Sequence, residues 1–254
     1  MPESLELLEL SKSIALRAGQ RLLDADRPDY NEYVHCQDNP REVKALADTV
    51  MEKDILDALI PTGLPILSEE SGYISGQPGA EYIFIVDPLD GTFNFVKGLG
   101  PSAVSIALWK NQRPVFGVIY SLLDRKLAWG GAGMGSYCDD QRLSVSSTSI
   151  IAKASICTGF PARLDVQNEI AMQNFLSIVK PFAKVRMLGS AAVSLLNVAR
   201  GSADAYSEQD IMLWDVAAGI AIVEGAGGST HFVGASTEHA LNVYASNGIL
   251  PVSN

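Results

Sequence analysis

The stretch Tyr82-Ile83-Phe84-Ile85-Val86-Asp87-Pro88-Leu89-Asp90-Gly91-Thr92 decides how the rest of the chain is read. Its first five residues are aromatic or aliphatic, which predicts a strand over 82–86 ending at Asp87. Two carboxylates then leave the carboxyl end of that strand, where layered α/β proteins collect their ligands. Pro88 fixes φ, and Gly91 permits a sharp turn or the close approach of a ligand. If the chain between them turns, Asp87 and Asp90 converge on one point. Two unpartnered anions so placed repel and raise each other's pKa. A hard divalent cation with oxygen ligands, magnesium, manganese or calcium, relieves that repulsion. Taken alone, a D-P-x-D turn is more often a solvated strand end.

Two other places supply acid at comparable positions. Glu69-Glu70 follows the short apolar run Ile66-Leu67, and Trp214-Asp215 opens a helix that runs to Glu224. Each has a plainer explanation by itself, a solvated acidic face for the first and an N-cap or helix-dipole partner for the second. Together, Glu69, Asp87, Asp90 and Asp215 are four carboxylates from three segments, the ligand stock of a site for two or three hard cations.

Outward from this centre, the first half reads as two helices followed by strands. Leu7, Leu10, Ile14, Ala18 and Leu22 make one stripe of a helix over 4–24, and a second helix is expected over 49–60, stopping before Pro61-Thr62-Gly63. Between them, 26–41 is polar, contains Pro28 and Pro40, and reads as loop. Runs at 104–109, 115–120 and 126–129 form an antiparallel meander. A Ser/Thr stretch at 144–149 marks the boundary between two approximate subdomains, 1–146 and 147–254, of one domain. Beyond it, a strand over 153–157, a helix over 167–179, a strand over 183–187 and helices over 190–201 and 214–224 interleave, so a layered α/β or α+β architecture follows.

Composition narrows the function. Of 254 residues, 47% are apolar and 19% charged, ample for a core, and the formal net charge is −10. That charge argues against a nucleic-acid polymer or an anionic membrane as partner. No apolar run reaches the ~18 residues of a membrane span, and the acidic start (Glu3, Glu6, Glu9) is unlike a secretory signal. Cys36, Cys138 and Cys157 form no CxxC pair, so neither a disulfide framework nor a zinc site is expected and the reading is a reduced, cytoplasmic protein.

Three stretches together resemble the inositol monophosphatase family of magnesium-dependent, lithium-sensitive phosphatases. Ser68-Glu69-Glu70-Ser71 is similar to its G-E-E-S element, DPLDGTFNFVKG at 87–98 to its D-P-I-D-G-T-T-N-F-V-H-G, and the segment 189–228 to the pattern containing W-D-x-A-x-G, here at 214–219. The resemblance implies an α+β fold, a layered αβαβα sandwich of the inositol monophosphatase and fructose-1,6-bisphosphatase type, usually a homodimer. It implies hydrolysis of a small phosphate monoester, inositol monophosphate or a related polyol or sugar phosphate, by metal-activated water. Alternatives inside the superfamily are a fructose-1,6-bisphosphatase, a 3′(2′),5′-bisphosphate nucleotidase or a histidinol-phosphatase; outside enzymology, a non-catalytic binding or regulatory protein keeping the fold. Two to three magnesium ions per site are implied, held by Glu69, Asp87, the Leu89 carbonyl, Asp90 and Asp215. Thr92 with Glu69 would orient the attacking water, Gly91 and Thr92 main-chain N–H groups would meet phosphate oxygens, Gly189, Ser190 and Ala191 would line the substrate pocket with Asp215, and Glu208 would contact a substrate hydroxyl.

The chain departs from the family pattern in places. Phe93 replaces a second threonine, Lys97 an expected histidine, and Glu52 stands where the family's T-x-x-D aspartate is sought in Thr49-Val50-Met51-Glu52. Glu52 is therefore the expected third member of the water-activating group. The segment 30–44 matches nothing closely, with Arg41 and Lys44 as its basic residues.

Overall fold

The computed structural model describes residues 2–24, 33–35, 43–160 and 167–251. Helix α1 (Pro2–Leu23) leads to a small antiparallel pair, β1 (Tyr33–His35) and β2 (Val43–Ala45), and then to α2 (Leu46–Leu59). Most of the expected loop at 26–41, including Cys36 and Arg41, lies outside the described residues, and 33–35 is strand rather than loop. Next come β3 (Ile66–Ser68), β4 (Gly72–Ile74), β5 (Tyr82–Asp90), the six-residue α3 (Thr92–Lys97), β6 (Ala103–Lys110), β7 (Arg113–Ser121), β8 (Lys126–Gly131), β9 (Gly135–Cys138) and β10 (Gln141–Arg142). These strands make one eight-stranded sheet in the order β10-β9-β8-β7-β6-β5-β3-β4, of which β6 to β8 are the expected meander, continued by β9 and β10 on one side and β5 on the other.

The second half builds a five-stranded sheet, β12-β11-β13-β15-β14, from β11 (Ser155–Thr158), β12 (Lys184–Met187), β13 (Ala205–Met212), β14 (Ser229–Gly234) and β15 (Ala240–Ser246). Its helices are α4 (Glu169–Val179), α5 (Ala191–Ala199) and α6 (Leu213–Gly225).

Alternation along the strands sorts side chains into layers. Phe84, Val86, Val104, Ile106, Leu108 and Val118 join the core beneath α1 and α2 with Ile14, Leu22, Met51 and Ile55. Ile85, Ala103, Ala107, Trp109 and Ile119 face the other way, onto α5 and α6, which also receive Cys157, Tyr206 and Val243 from the second sheet. A smaller core holding Ile156, Ala205 and Tyr244, with α4's Ile178 packed on it, closes the far side. The stack is therefore αβαβα, with α5 and α6 as the middle layer. Burying one such Leu, Ile or Phe side chain contributes about 1.5–3 kcal/mol, so each layer seam has ample apolar stabilisation.

Candidate active site

Strand β5 does not end at Asp87. It continues to Asp90, with a register shift: Asp87 pairs with Ser105 of β6 and Asp90 with Ala103. Three steps on one strand thus match two on its neighbour, which defines a β-bulge with one extra residue. Pro88 suits this place because it has no N–H to give to a ladder. The bulge changes what the spacing means. In a regular strand residues three apart point to opposite faces; the extra residue returns Asp90 to the face of Asp87. Both carboxylates therefore point into the middle layer, while Leu89 between them is buried in the α1/α2 core.

The remaining acids arrive by register. Strand β3 runs parallel to β5 with Ser68 beside Val86, so Glu69, whose N–H donates to the Val86 carbonyl at 3.2 Å, lands next to Asp87. Asp215 sits in the first turn of α6, at the end of the middle layer. Carboxylate oxygens of Glu69, Asp87 and Asp215 lie within 4.8 Å of one another. Burial, then the neighbouring charges with Glu69 foremost, drives the pKa values of Asp87 and Asp215 well up. Burial followed by the Asp48 charge pushes Glu69 up to about 8. Asp87 Oδ1 accepts from the Leu89 N–H at 3.0 Å, but its buried Oδ2 has no hydrogen-bond partner. Such an orphaned anionic oxygen among like charges is costly. An oxygen-seeking cation is the partner its chemistry fits.

Asp90 is close but differently engaged. Its carboxylate caps α5, accepting from the Ser190 hydroxyl and from the N–H groups of Ala191 (3.2 Å) and Ala192 (3.1 Å). These donors offset burial, which still pushes Asp90 up to about 6. The α5 N-terminus, where Ser190 and Ala191 were expected to line a substrate pocket, is thus already satisfied by an anion from the chain itself. Gly189 (φ 72) forms the turn into this cap, held by Asn94, whose amide donates to the carbonyls of Leu188 at 2.7 Å and Pro101 at 2.8 Å. Gly91 begins α3 at φ 80, and a Cβ there would lie 3.0 Å from the carbonyls of Gly189 and Pro101, so this junction requires glycine.

The group expected around Glu52 is corrected by the structure. Glu52 is buried, but Oε1 accepts from the Ser68 hydroxyl (2.5 Å) and the Ser71 N–H (2.9 Å), and Oε2 from the Ser71 hydroxyl (2.6 Å). It braces both ends of the turn that carries Glu69 and does not face Thr92. The acid opposite Thr92 is Asp48, with the Thr92 hydroxyl 2.9 Å from Asp48 Oδ1 and 3.0 Å from the Leu89 carbonyl. The expected helix start at Thr49 hid this residue. The helix begins at Leu46, making Asp48 its third residue, with Oδ2 accepting from the Ala45 N–H at 2.6 Å. Burial raises Asp48 to about 6. Lys44, on β2, pairs with Glu70 at 2.6 Å and lowers the pKa of Glu69, so one end of the unmatched 30–44 segment reaches the acidic cluster. Phe93 is exposed, and the Lys97 ammonium sits 4.5 Å over the Tyr33 ring.

Glu208 is buried on β13, its Oε2 accepting from the Tyr206 hydroxyl at 2.9 Å. Burial pushes it up to about 7. Glu208 also lines a hollow of about 330 Å³ with Ser207, Gln209, His231 and Asn242, which none of the four carboxylates borders.

A layered αβαβα fold in which carboxylates of the eight-stranded sheet and of a middle-layer helix converge defines a phosphoric monoester hydrolase whose acidic cluster could hold a metal. The family model for the inositol monophosphatase family matches residues 4–250. The fructose-1,6-bisphosphatase/inositol-1-monophosphatase of Aquifex aeolicus (strain VF5) is 31% identical over 229 residues, 89% of this chain and 86% of that protein. Inositol monophosphatase 1 of Bos taurus is 32% identical over 233 residues, 88% and 82% of the two chains. The crystal structure of the extragenic suppressor protein suhB from Bartonella henselae superposes with a TM-score of 0.82 at 30% identity, covering 96% of this chain and 95% of that one. The chain belongs to the inositol monophosphatase family.

Proposed function

We propose that the protein hydrolyses inositol monophosphate or a related polyol or sugar monophosphate, with magnesium ions held by Glu69, Asp87, the Leu89 carbonyl, Asp90 and Asp215. The observation that carries this reading is the convergence of Glu69, Asp87 and Asp215 around an Asp87 oxygen with no hydrogen-bond partner. Asp90 would contribute the lone pairs left after capping α5. Divalent ions in such a cluster screen the phosphate dianion, acidify water and stabilise the departing alkoxide.

The chain's own residues divide the remaining work. The Thr92 hydroxyl has one hydrogen, which it can give to Asp48, leaving its oxygen lone pairs to accept a hydrogen from the attacking water. Asp48, ionised above about pH 6, is the acceptor at the end of that relay. Main-chain N–H groups of Gly91 and Thr92 receive phosphate oxygens, and Glu208 accepts hydrogen bonds from hydroxyls of the polyol. A carboxylate at that place repels a second phosphate and so favours monophosphates.

The same reading includes lithium inhibition, a homodimer and a cytoplasmic setting. Exposed Leu99, Val185 and Met187 supply apolar surface for a partner copy, and Cys138 and Cys157 are buried free thiols suited to a reducing compartment. Among the described residues, no helix is long and apolar enough to cross a membrane.

Phosphate release from a panel containing inositol monophosphate, histidinol phosphate, fructose 1,6-bisphosphate and a 3′-phosphorylated nucleotide tests the proposal. Magnesium-dependent turnover with the highest kcat/KM on a polyol monophosphate is expected. Full turnover in excess chelator, or preference for a bisphosphate, would overturn it.

A further inference from the structure

Glu208 is held unusually firmly for a side chain of its length. Tyr206 and Glu208, two apart on β13, share the face turned into the middle layer, where Tyr206 is fully buried among apolar side chains. The phenol has one polar atom to satisfy there, and it does so by donating to Glu208 Oε2 at 2.9 Å. From just past the end of the neighbouring strand β11, the Gly159 N–H also donates to the Glu208 carboxylate. A Cβ on Gly159 would lie 2.1 Å from Oε1 and 2.3 Å from both Cδ and Oε2, so any other residue there would displace the carboxylate. The two strands are pinned at this level, because the Thr158 hydroxyl donates to the Ser207 carbonyl at 2.7 Å. Immediately beyond, β13 bulges between Glu208 and Ile211, with Asp210 in the left-handed region at φ 58 and its carboxylate accepting from the N–H and hydroxyl of Ser236.

We infer that Tyr206 and Gly159 are positioning residues for substrate specificity: together they fix the Glu208 carboxylate in one orientation so that its free lone pairs meet hydroxyls of the leaving group. This rests on the reading of Glu208 given under the proposed function. A carboxylate offers about four acceptor sites; the phenol and the Gly159 amide occupy two, and two remain. Both fixed partners are donors, so Glu208 is presented purely as an acceptor. It therefore recognises hydroxyl donors and excludes anionic substituents. Tyr206 acts through Glu208 and does not itself touch substrate.

The test compares kcat and KM for a polyol monophosphate and for para-nitrophenyl phosphate, which lacks the hydroxyls, in the magnesium-loaded full chain. The variants are Tyr206→Phe, Gly159→Ala, Glu208→Gln and the double variant Tyr206→Phe/Glu208→Gln. Loss of one hydrogen bond to a charged group should lower the polyol-to-aryl ratio of kcat/KM about tenfold in Tyr206→Phe, chiefly through KM. Gly159→Ala should lower the ratio at least as far, and it carries the test should Tyr206→Phe fold poorly. The double variant should show the ratio of Glu208→Gln alone, since the phenol has no other route to the substrate. A merely structural role would depress both substrates in proportion and leave the ratio fixed, which would overturn the inference, as would additive losses in the double variant. If Glu208→Gln itself leaves the ratio fixed, the reading of Glu208 fails and the inference with it. If Glu208→Gln lowers the ratio while Tyr206→Phe and Gly159→Ala do not, the positioning role alone fails.

Discussion

The Thr92 hydroxyl lies 2.9 Å from the carboxylate of Asp48, joining the first turn of α3 to the first turn of α2 across 44 residues of sequence. A hydroxyl aligned on a buried acid is a proton relay only if the acid is ionised. Asp48→Asn and Thr92→Ala should each lower kcat by about 10²-fold or more, the usual scale of a lost acid–base group, with little change in KM. Burial places Asp48 at about 6, and a bound cation can only lower it. The carboxylate is protonated below its pKa, so kcat/KM should fall with acidification along a limb no higher than about pH 6, and that limb should vanish in Asp48→Asn. Steady-state pH profiles decide this; an unaltered limb in the variant assigns it to another group.

Glu52 should behave as a brace. Glu52→Ala strands the buried Ser68 hydroxyl, an expected loss of about 1–3 kcal/mol, and leaves the exposed Ser71 hydroxyl and N–H to water. The turn carrying Glu69 then loosens, so the magnesium concentration giving half-maximal rate should rise more than kcat falls. Denaturant unfolding and magnesium titration measure the two effects. A kcat collapse at saturating magnesium with unchanged stability would instead place Glu52 in the chemistry.

Asp87→Asn replaces the unpartnered Oδ2 with a neutral amide beside Glu69 and Asp215. In chelator this variant should melt above the parent, because like-charge repulsion and an unmet acceptor are removed together. In magnesium its phosphate release should drop by more than ~10²-fold. A lower melting midpoint in chelator would show that the acidic cluster is not strained without a cation.

The metal-free protein should lose stability as pH rises. Asp48 and Asp90 stand at about 6, Glu208 at about 7 and Glu69 at about 8, with Asp87 and Asp215 raised as well, all principally through burial. Unfolded carboxylates titrate near ~4. Above that value the native chain binds more protons than the unfolded one, so the free energy of unfolding falls with increasing pH. The stability contributed by these groups is complete below about pH 4 and is lost as pH climbs through about 6 to 8. Magnesium binds the ionised forms and should flatten or reverse the trend. Melting midpoints in chelator and in magnesium across that window provide the check; a rising midpoint in chelator contradicts the burial account.

The unbroken apolar run 82–86 and the nearly unbroken 104–109 made the first sheet readable, because each of those strands buries both faces in apolar layers. Strand β13 was not readable: Tyr206-Ser207-Glu208-Gln209-Asp210 is polar, interrupted by a bulge, and strand only because β11 and β15 pair with it. The places of Glu69 and Asp215 follow from where β3 ends and α6 begins, which the sequence showed to within a residue or so, whereas Asp87 lies inside β5, three residues before the strand's end. The geometry between Asp87 and Asp90 did not show, since a turn and a bulge are equally compatible with D-P-L-D and only pairing with β6 selects one. Asp48 was hidden for a similar reason. Thr49 is the better N-cap by its local chemistry, and only the packing of Leu46–Leu59 against the sheet sets the helix start three residues earlier.

The bulge in β5 also constrains how this segment can change over evolutionary time. Substitutions at Pro88 or Leu89 alter packing but leave both aspartates facing the middle layer. Deleting either residue would restore regular pleating with the two aspartates two apart, still on one face and still opposite Ser105 and Ala103, at the cost of the backbone turn that the bulge supplies. What would turn Asp90 toward the α1/α2 core is loss of the bulge at constant length, so the pairing of β5 with β6, more than the spacing of D-P-L-D, keeps the two acids on one side of the sheet.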